Sequence, residues 1–184
     1  MSLQLEITTI MHNLIKDYYY SYLKDNKLLL IPDNTIKDIV EDYYESQKDY
    51  LKKKIREELN KQSTNKFDKL AIENMIFEIF SDKEFAVNKI VRDILNFQNG
   101  KIITLHINYV NDLGLKVDIN EYGVCISNVV KPSDEYKQIT PGDYIIGINE
   151  NNLSNLENTE RINILKNLKQ YSNNKLEISV FKNS

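Results

Sequence analysis

The sequence predicts an α+β protein: a helical bundle of about four helices, then a small, partly open β-barrel that carries one helix. Two observations carry this. Up to about Phe97 the apolar residues recur every three or four positions, which places them on one face of a helix. From Ile103 they alternate with polar residues, as on a strand with one buried face. Gln98-Asn99-Gly100 lies between the two patterns, so the expected domains are 1–99 and 101–184. A length of 184 residues admits one ordinary domain or two small ones, and the contrast between the halves favours two.

The first helix is expected from Ser2 to about Lys24, with Leu3, Ile7, Ile10, Leu14, Tyr18 and Tyr22 on its apolar stripe. The run Tyr18-Tyr19-Tyr20-Ser21-Tyr22 sits at helical spacing and reads as half-buried packing. Leu28-Leu29-Leu30-Ile31-Pro32 ends that segment, because the residue before a proline is pushed out of the helical region. Asp33 or Asn34 then caps a second helix reaching about Leu59, through Ile36, Val40, Tyr43, Tyr50 and Ile55, with a weakly apolar middle turn. Gln62-Ser63-Thr64-Asn65 is a breaker, and a third helix follows from Phe67 through Leu70, Ile72, Met75, Ile76, Ile79 and Phe80. Ser81-Asp82-Lys83-Glu84 has the form of a capping box for a fourth helix to about Phe97, with Phe85, Val87, Ile90, Val91, Ile94 and Leu95 on its stripe. Helices this apolar must pack on one another, on the second half or on a second copy. Intramolecular bundling is the reading taken, with homo-oligomerisation through the helical half kept open. A continuous heptad seam fits less well, since it would carry Ser46 and Lys53.

In the second half, Ile103, Leu105, Ile107 and Tyr109 alternate with Thr104, His106 and Asn108, which points His106 outward. Leu176, Ile178 and Val180 alternate in the same way at the other end, and a helical run from Asn158 to Leu168 precedes them. Short strands with a few segregated helices imply a small α+β fold.

Composition excludes several functions. The net charge is −3 and the pI near 5.5, and the one basic cluster, Lys52-Lys53-Lys54-Ile55-Arg56, is followed at once by Glu57-Glu58, so no nucleic-acid partner is expected. No apolar run approaches the ~20 residues of a membrane span, and the first residues lack the form of a signal peptide. An intracellular, cytoplasmic protein is expected. Cys125 is the single cysteine, in the apolar run Gly123-Val124-Cys125-Ile126-Ser127, and reads as an inert packed thiol. His12 and His106 lack clustered ligands, so neither a metal nor any other cofactor is expected. No G-x-S-x-G elbow occurs and neither histidine sits in a catalytic setting, so no catalytic residue is assigned and the chain is read as not an enzyme.

Three landmarks stand in order between Leu113 and Phe181: Leu113-Gly114-Leu115, then Thr140-Pro141-Gly142-Asp143 leading into Tyr144-Ile145-Ile146-Gly147-Ile148-Asn149, then the Asn158 helix. Their order and spacing closely resemble a PDZ domain over about residues 101 to 182, while residues 1 to 100 carry no family resemblance recognised from the sequence. Val129-Val130-Lys131-Pro132-Ser133 resembles the strand and turn before that family's first small helix. The resemblance implies peptide binding. Successive backbone N–H groups around Gly114 would hold a carboxylate, and the edge of Leu115-Lys116-Val117-Asp118-Ile119 would accept an extended peptide as a further strand. It also implies an apolar pocket lined by Leu113, Leu115, Val117, Ile162 and Leu165, and contact between Asn158 and the ligand's antepenultimate side chain.

The sequence departs from the family pattern at specific points. Asp112 stands where the loop usually has its first glycine, and the basic residue often found before the loop is missing from Ile107-Asn108-Tyr109-Val110-Asn111. A negative side chain at the lip repels a ligand carboxylate, which implies weak binding or an internal ligand segment. Asn158 replaces the histidine of many members, so ligand class does not carry over. The expected function is a non-enzymatic adaptor that captures protein C-termini or extended peptides. The alternatives are an architectural or oligomerising protein whose groove is filled by its own helices, and a regulatory subunit of a separate protease.

Overall fold

In the computed structural model, which describes residues 1–61, 66–108, 112–171 and 175–183, the change of period falls where the chain changes from helices to strands. One unit comprises Met1–Asn26 with Ile31–Phe97, the other Lys27–Leu30 with Gln98–Ser184. The breaker at 62–65 and the proposed strand end at Tyr109 lie outside the described residues.

The first unit holds five helices: α1 (Leu3–Asp25), α2 (Asp33–Ser46), α3 (Lys48–Lys61), α4 (Lys69–Ser81) and α5 (Lys83–Gly100). The single long helix expected from 33 to 59 is two, divided at Gln47. Backbone bonds continue across the division, from Gln47 N–H to Tyr43 O and from Leu51 N–H to Gln47 O. Ser46 Oγ also donates to Tyr43 O, however, and such side-chain competition for a helix carbonyl favours a bend where few apolar residues hold the turn straight. Helix α2 starts after Pro32, and neither Asp33 nor Asn34 is its cap. The cap of α5 is likewise not Ser81, whose hydroxyl donates to Glu78 O; Asp82 Oδ1 accepts the Phe85 N–H instead.

Because α1 packs against α2, α3 and α4, it buries more than one stripe. Ile10, Leu14 and Tyr22 are half-buried, while the fully enclosed line is Ile7, Met11, Ile15 and Tyr19. Tyr18 is half-buried and stacks on Tyr43 with ring centroids 3.8 Å apart. Tyr44, Leu51, Ile55, Ile76, Val87, Ile90 and Ile94 belong to the same core. Leu70 and Phe85, placed on the buried stripes by their spacing, are 67% and 60% exposed.

The second unit is an antiparallel sheet in the order β1-β6-β4-β3-β2: β1 (Ile102–Asn108), β2 (Leu115–Asn120), β3 (Gly123–Val129), β4 (Tyr144–Ile148) and β6 (Lys175–Phe181). A two-residue β5 (Asn151–Asn152) pairs with the end of β4. Strand β1 runs beside β6 from Ile102 opposite Phe181 to Asn108 opposite Lys175, so Leu105 and Ile107 meet Ile178 and Leu176 inside and His106 points out. A 3-10 turn (Asp134–Gln138) links β3 to β4. The helical run expected to Leu168 is two pieces, α6 (Asn158–Lys166) and α7 (Leu168–Tyr171), separated at Asn167, whose side-chain amide donates to Asn163 O.

The turn before β4 is held by buried polar bonds. Gly142 (φ +98) adopts a backbone conformation that side chains disfavour, and its N–H donates to Ile126 O while Ile126 N–H donates to Asp143 O. The buried Asp143 carboxylate accepts from the Thr140 and Asn183 backbone N–H groups and pairs with Lys182. Asn149, in the left-handed region at φ 52, ends β4 and ties back to Glu177 by two hydrogen bonds. Cys125 is half-buried, on the face of β3 opposite the enclosed Val124 and Ile126.

Candidate functional site

Strand β2 lies at one end of the sheet, paired with β3 alone among the described residues. Helix α6 packs against both β2 and β3, so it overlies that edge. Along β2 the alternation leaves Leu115, Val117 and Ile119 half-buried, while Lys116 and Asp118 are exposed. A bulge interrupts the ladder between Lys116 and Val117. Bulges bend an edge strand and re-aim its free backbone groups. At the start of β2, Gly114 C=O accepts from Val130 N–H at 2.8 Å and from Lys131 N–H at 3.0 Å. Antiparallel pairs alternate, so the next residue, Leu115, turns its backbone groups away from β3 toward the open edge.

The structure brings Leu113, Leu115, Val117 and Leu165 together as half-buried side chains on the rim of one apolar core, beside Ile119 and Val129. Ile162 is more open, at 38% exposure, and Lys116 points to solvent. On α6 the inward face is Arg161 and Ile164, and residues 158, 162 and 165 lie on an adjoining face by their three- and four-residue spacing. Asn158 is not free to act alone: its Oδ1 accepts from Arg161 Nη1 at 2.8 Å.

Gly114 sits at φ +67, and a Cβ added there would lie 2.9 Å from Lys131 Cβ, so only glycine fits this turn without displacement. Its N–H is already engaged, donating to Asp112 Oδ1 at 2.8 Å. The other carboxylate oxygen of Asp112 accepts from Lys131 Nζ at 2.7 Å. The Lys131 ammonium and the Gly114 N–H together hold the Asp112 carboxyl below its ordinary pKa. Tyr136 Oη donates to Leu113 O at 2.5 Å, and burial pushes its phenol pKa up to about 12. The notion of a set of unoccupied amides around Gly114 therefore needs correction, since one of them is spent within the loop. Asp-x-Gly is a common turn in which the aspartate bonds the backbone two residues on, and that pattern at Asp112-Leu113-Gly114 was the available signal.

Arg161 gave no such signal. Its guanidinium is buried, with Nε donating to Leu153 O at 2.8 Å and Nη2 to Ser154 O at 3.1 Å, and it lies over Gly123, 3.7 Å from where a Cβ would stand. Burial lowers its pKa. A buried cation held by these carbonyls ties α6 to the segment that leads into it and covers Gly123 at the start of β3. Among the described residues no group of three or more His, Cys, Asp or Glu could hold a metal, and no helix is long and apolar enough to cross a membrane.

A profile of the PDZ domain family matches residues 103–180. Among solved structures, the fifth PDZ domain of InaD in 10 mM DTT is 21% identical, covers 45% of this chain and 98% of that one, and superposes with a TM-score of 0.38. INAD PDZ3 in complex with a TRP channel tail is 18% identical, covers 48% of this chain and 93% of that one, with a TM-score of 0.38. A search of the curated proteins finds no match. The comparisons identify no catalytic domain and no family for the helical region. Residues 103–180, with their sheet of six strands and its overlying helix, are a PDZ domain, a module that typically binds peptide C-termini.

Proposed function

We propose that this chain is a non-enzymatic adaptor whose PDZ domain takes an extended peptide as one more strand on the outer edge of β2, beneath α6. Residues 1–99 and 101–184 act as separate domains in this reading. One observation carries it: β2 is a terminal strand whose edge is unpaired among the described residues and is bordered by half-buried apolar side chains. Backbone groups at such an edge supply generic affinity, and the apolar rim supplies selectivity. Leu113, Leu115, Val117, Ile162 and Leu165 form the side-chain pocket in this proposal, with Leu115 offering its edge backbone groups, Gly114 shaping the turn that starts β2, Lys116 presenting its side chain beside the added strand, and Asn158 at the helix start. Burying one ligand side chain of Leu or Val size contributes ~1.5–3 kcal/mol, which with a few backbone bonds supports micromolar affinity.

The test uses the full chain and a library of extended decapeptides, with affinities of selected peptides measured by calorimetry. Ile162→Glu, at an exposed position, is expected to weaken binding at least tenfold. Thr104→Glu, on the opposite edge strand β1, is expected to leave it unchanged. Binding that survives Ile162→Glu and is lost with Thr104→Glu moves the interaction to the wrong edge and refutes the reading.

A further inference from the structure

We infer that the segment this groove receives is internal to its own protein, with Asp112 supplying from within the loop the carboxylate that a chain terminus would otherwise bring. The inference rests on the strand-addition reading above. Three contacts carry it. The Gly114 N–H donates to Asp112 Oδ1 at 2.8 Å, so the amide at the centre of the loop has its acceptor. Lys131 Nζ sits on Asp112 Oδ2 at 2.7 Å, so the cation beside the loop is neutralised by the same side chain. Tyr136 Oη holds Leu113 O, the other end of the peptide group whose N–H belongs to Gly114. That peptide plane is therefore fixed from both sides, with its donor aimed at Asp112.

A ligand carboxylate entering here has to displace Asp112 from both donors or sit beside a like charge, and either course is unfavourable. An internal strand brings no such charge and asks nothing of the Gly114 N–H. Its backbone needs the edge groups from Leu115 onward, and among the described residues no strand pairs with that edge. Chain continuing past the loop also has somewhere to go. A cavity opens at this end of β2, bordered by Asn108, Lys131, Ser133 and Glu135, whose polar side chains can hydrogen-bond to a continuing backbone.

The experiment compares the full-length wild type with Asp112→Ala, using decapeptide libraries made in matched free-acid and C-terminally amidated forms. Selected peptides are then also tested with five further residues at the C-terminal end. Asp112 is half exposed, so the variant keeps the fold. The wild type is expected to bind free-acid and amidated forms within about twofold and to tolerate the extension. Asp112→Ala is expected to raise the affinity for free acids at least tenfold and to leave amides unchanged. A tenfold preference of the wild type for free acids overturns this inference and leaves strand addition intact. An Asp112→Ala protein as indifferent to the terminus as the wild type overturns the role given to Asp112. No binding of any peptide to either protein overturns strand addition, and this inference with it.

Discussion

The two units satisfy their buried polar groups to different degrees. In the PDZ unit each is engaged: Asp143 by backbone N–H groups and Lys182, Arg161 by two carbonyls and Asn158. In the helical unit Glu6 Oε2, His12 Nε2 and Tyr44 Oη are buried with no hydrogen-bond partner among the described residues. The difference follows from the backbone. A helix closes nearly all its own N–H and C=O groups, so a polar side chain inside a bundle finds few of them to bond. A sheet with tight turns leaves groups over at every strand end, and side chains must satisfy them. Replacing a buried polar side chain should therefore be costly in the PDZ unit and tolerated in the helical one.

The largest effect is expected at Asp143. Asp143→Asn removes the charge facing Lys182 and weakens the acceptor for Thr140 and Asn183, which costs about 3 kcal/mol by comparison with other broken buried pairs. Site-resolved hydrogen exchange in β4 and β6 measures it without interference from the helices. Burial alone would raise this carboxyl's pKa, but the bonds from Lys182, Thr140 and Asn183 outweigh it, so the folded pKa is lowered. Its stabilisation is thus complete above the unfolded pKa of about 3.9 and is lost as pH falls through the lower folded value. A wild type whose β4 protection falls no faster than the variant's below pH 4 contradicts that assignment.

Arg161 comes second. Arg161→Met keeps much of the aliphatic stem but leaves Leu153 O and Ser154 O without their donor, at a cost of about 1–3 kcal/mol. The start of α6 also loses its tie through Asn158, so peptide affinity should fall together with stability. If affinity holds while stability falls, Arg161 supports the fold and not the groove.

What the residues disclosed in advance divides along the same line. The strand alternation of Leu105, Ile107, Leu176, Ile178 and Val180 was legible because one buried face fixes a period of two, and Thr140-Pro141-Gly142-Asp143 was legible because the turn needs those residue types. The α2–α3 break at Gln47 was not, because a Ser hydroxyl competing for one carbonyl leaves no mark on the apolar period. Leu70 and Phe85 were misplaced because spacing defines a face and not what covers it. The bond between Arg161 and Leu153 O was hidden for a related reason: an arginine on a helix ordinarily reads as solvated surface, and only the packing of α6 on β3 encloses this one.

The smallest effect, and the one that most sharpens the contrast, is expected at His12. Burial is the main influence on its imidazole and lowers the pKa; Asp93, 3.3 Å from Nδ1, pulls the other way, and Lys89 and Lys16 add to the lowering. The ring is therefore neutral in the folded unit at pH 7. As pH falls below the unfolded value of about 6.5, the unfolded chain takes up a proton that the folded chain refuses, and stability declines by up to ~1.4 kcal/mol per pH unit until the lower folded pKa is reached. His12→Leu removes that dependence and leaves no imidazole nitrogen unpaired, so at pH 8 it should change stability by less than about 1 kcal/mol. Exchange protection of α1 and α5 amides between pH 8 and 5 reads both quantities. The helical unit should begin to weaken near pH 6.5, more than two pH units above the range in which Asp143 protonates. Equal acid sensitivity of α1 in wild type and His12→Leu would mean that other groups, and not this imidazole, set the helical unit's response.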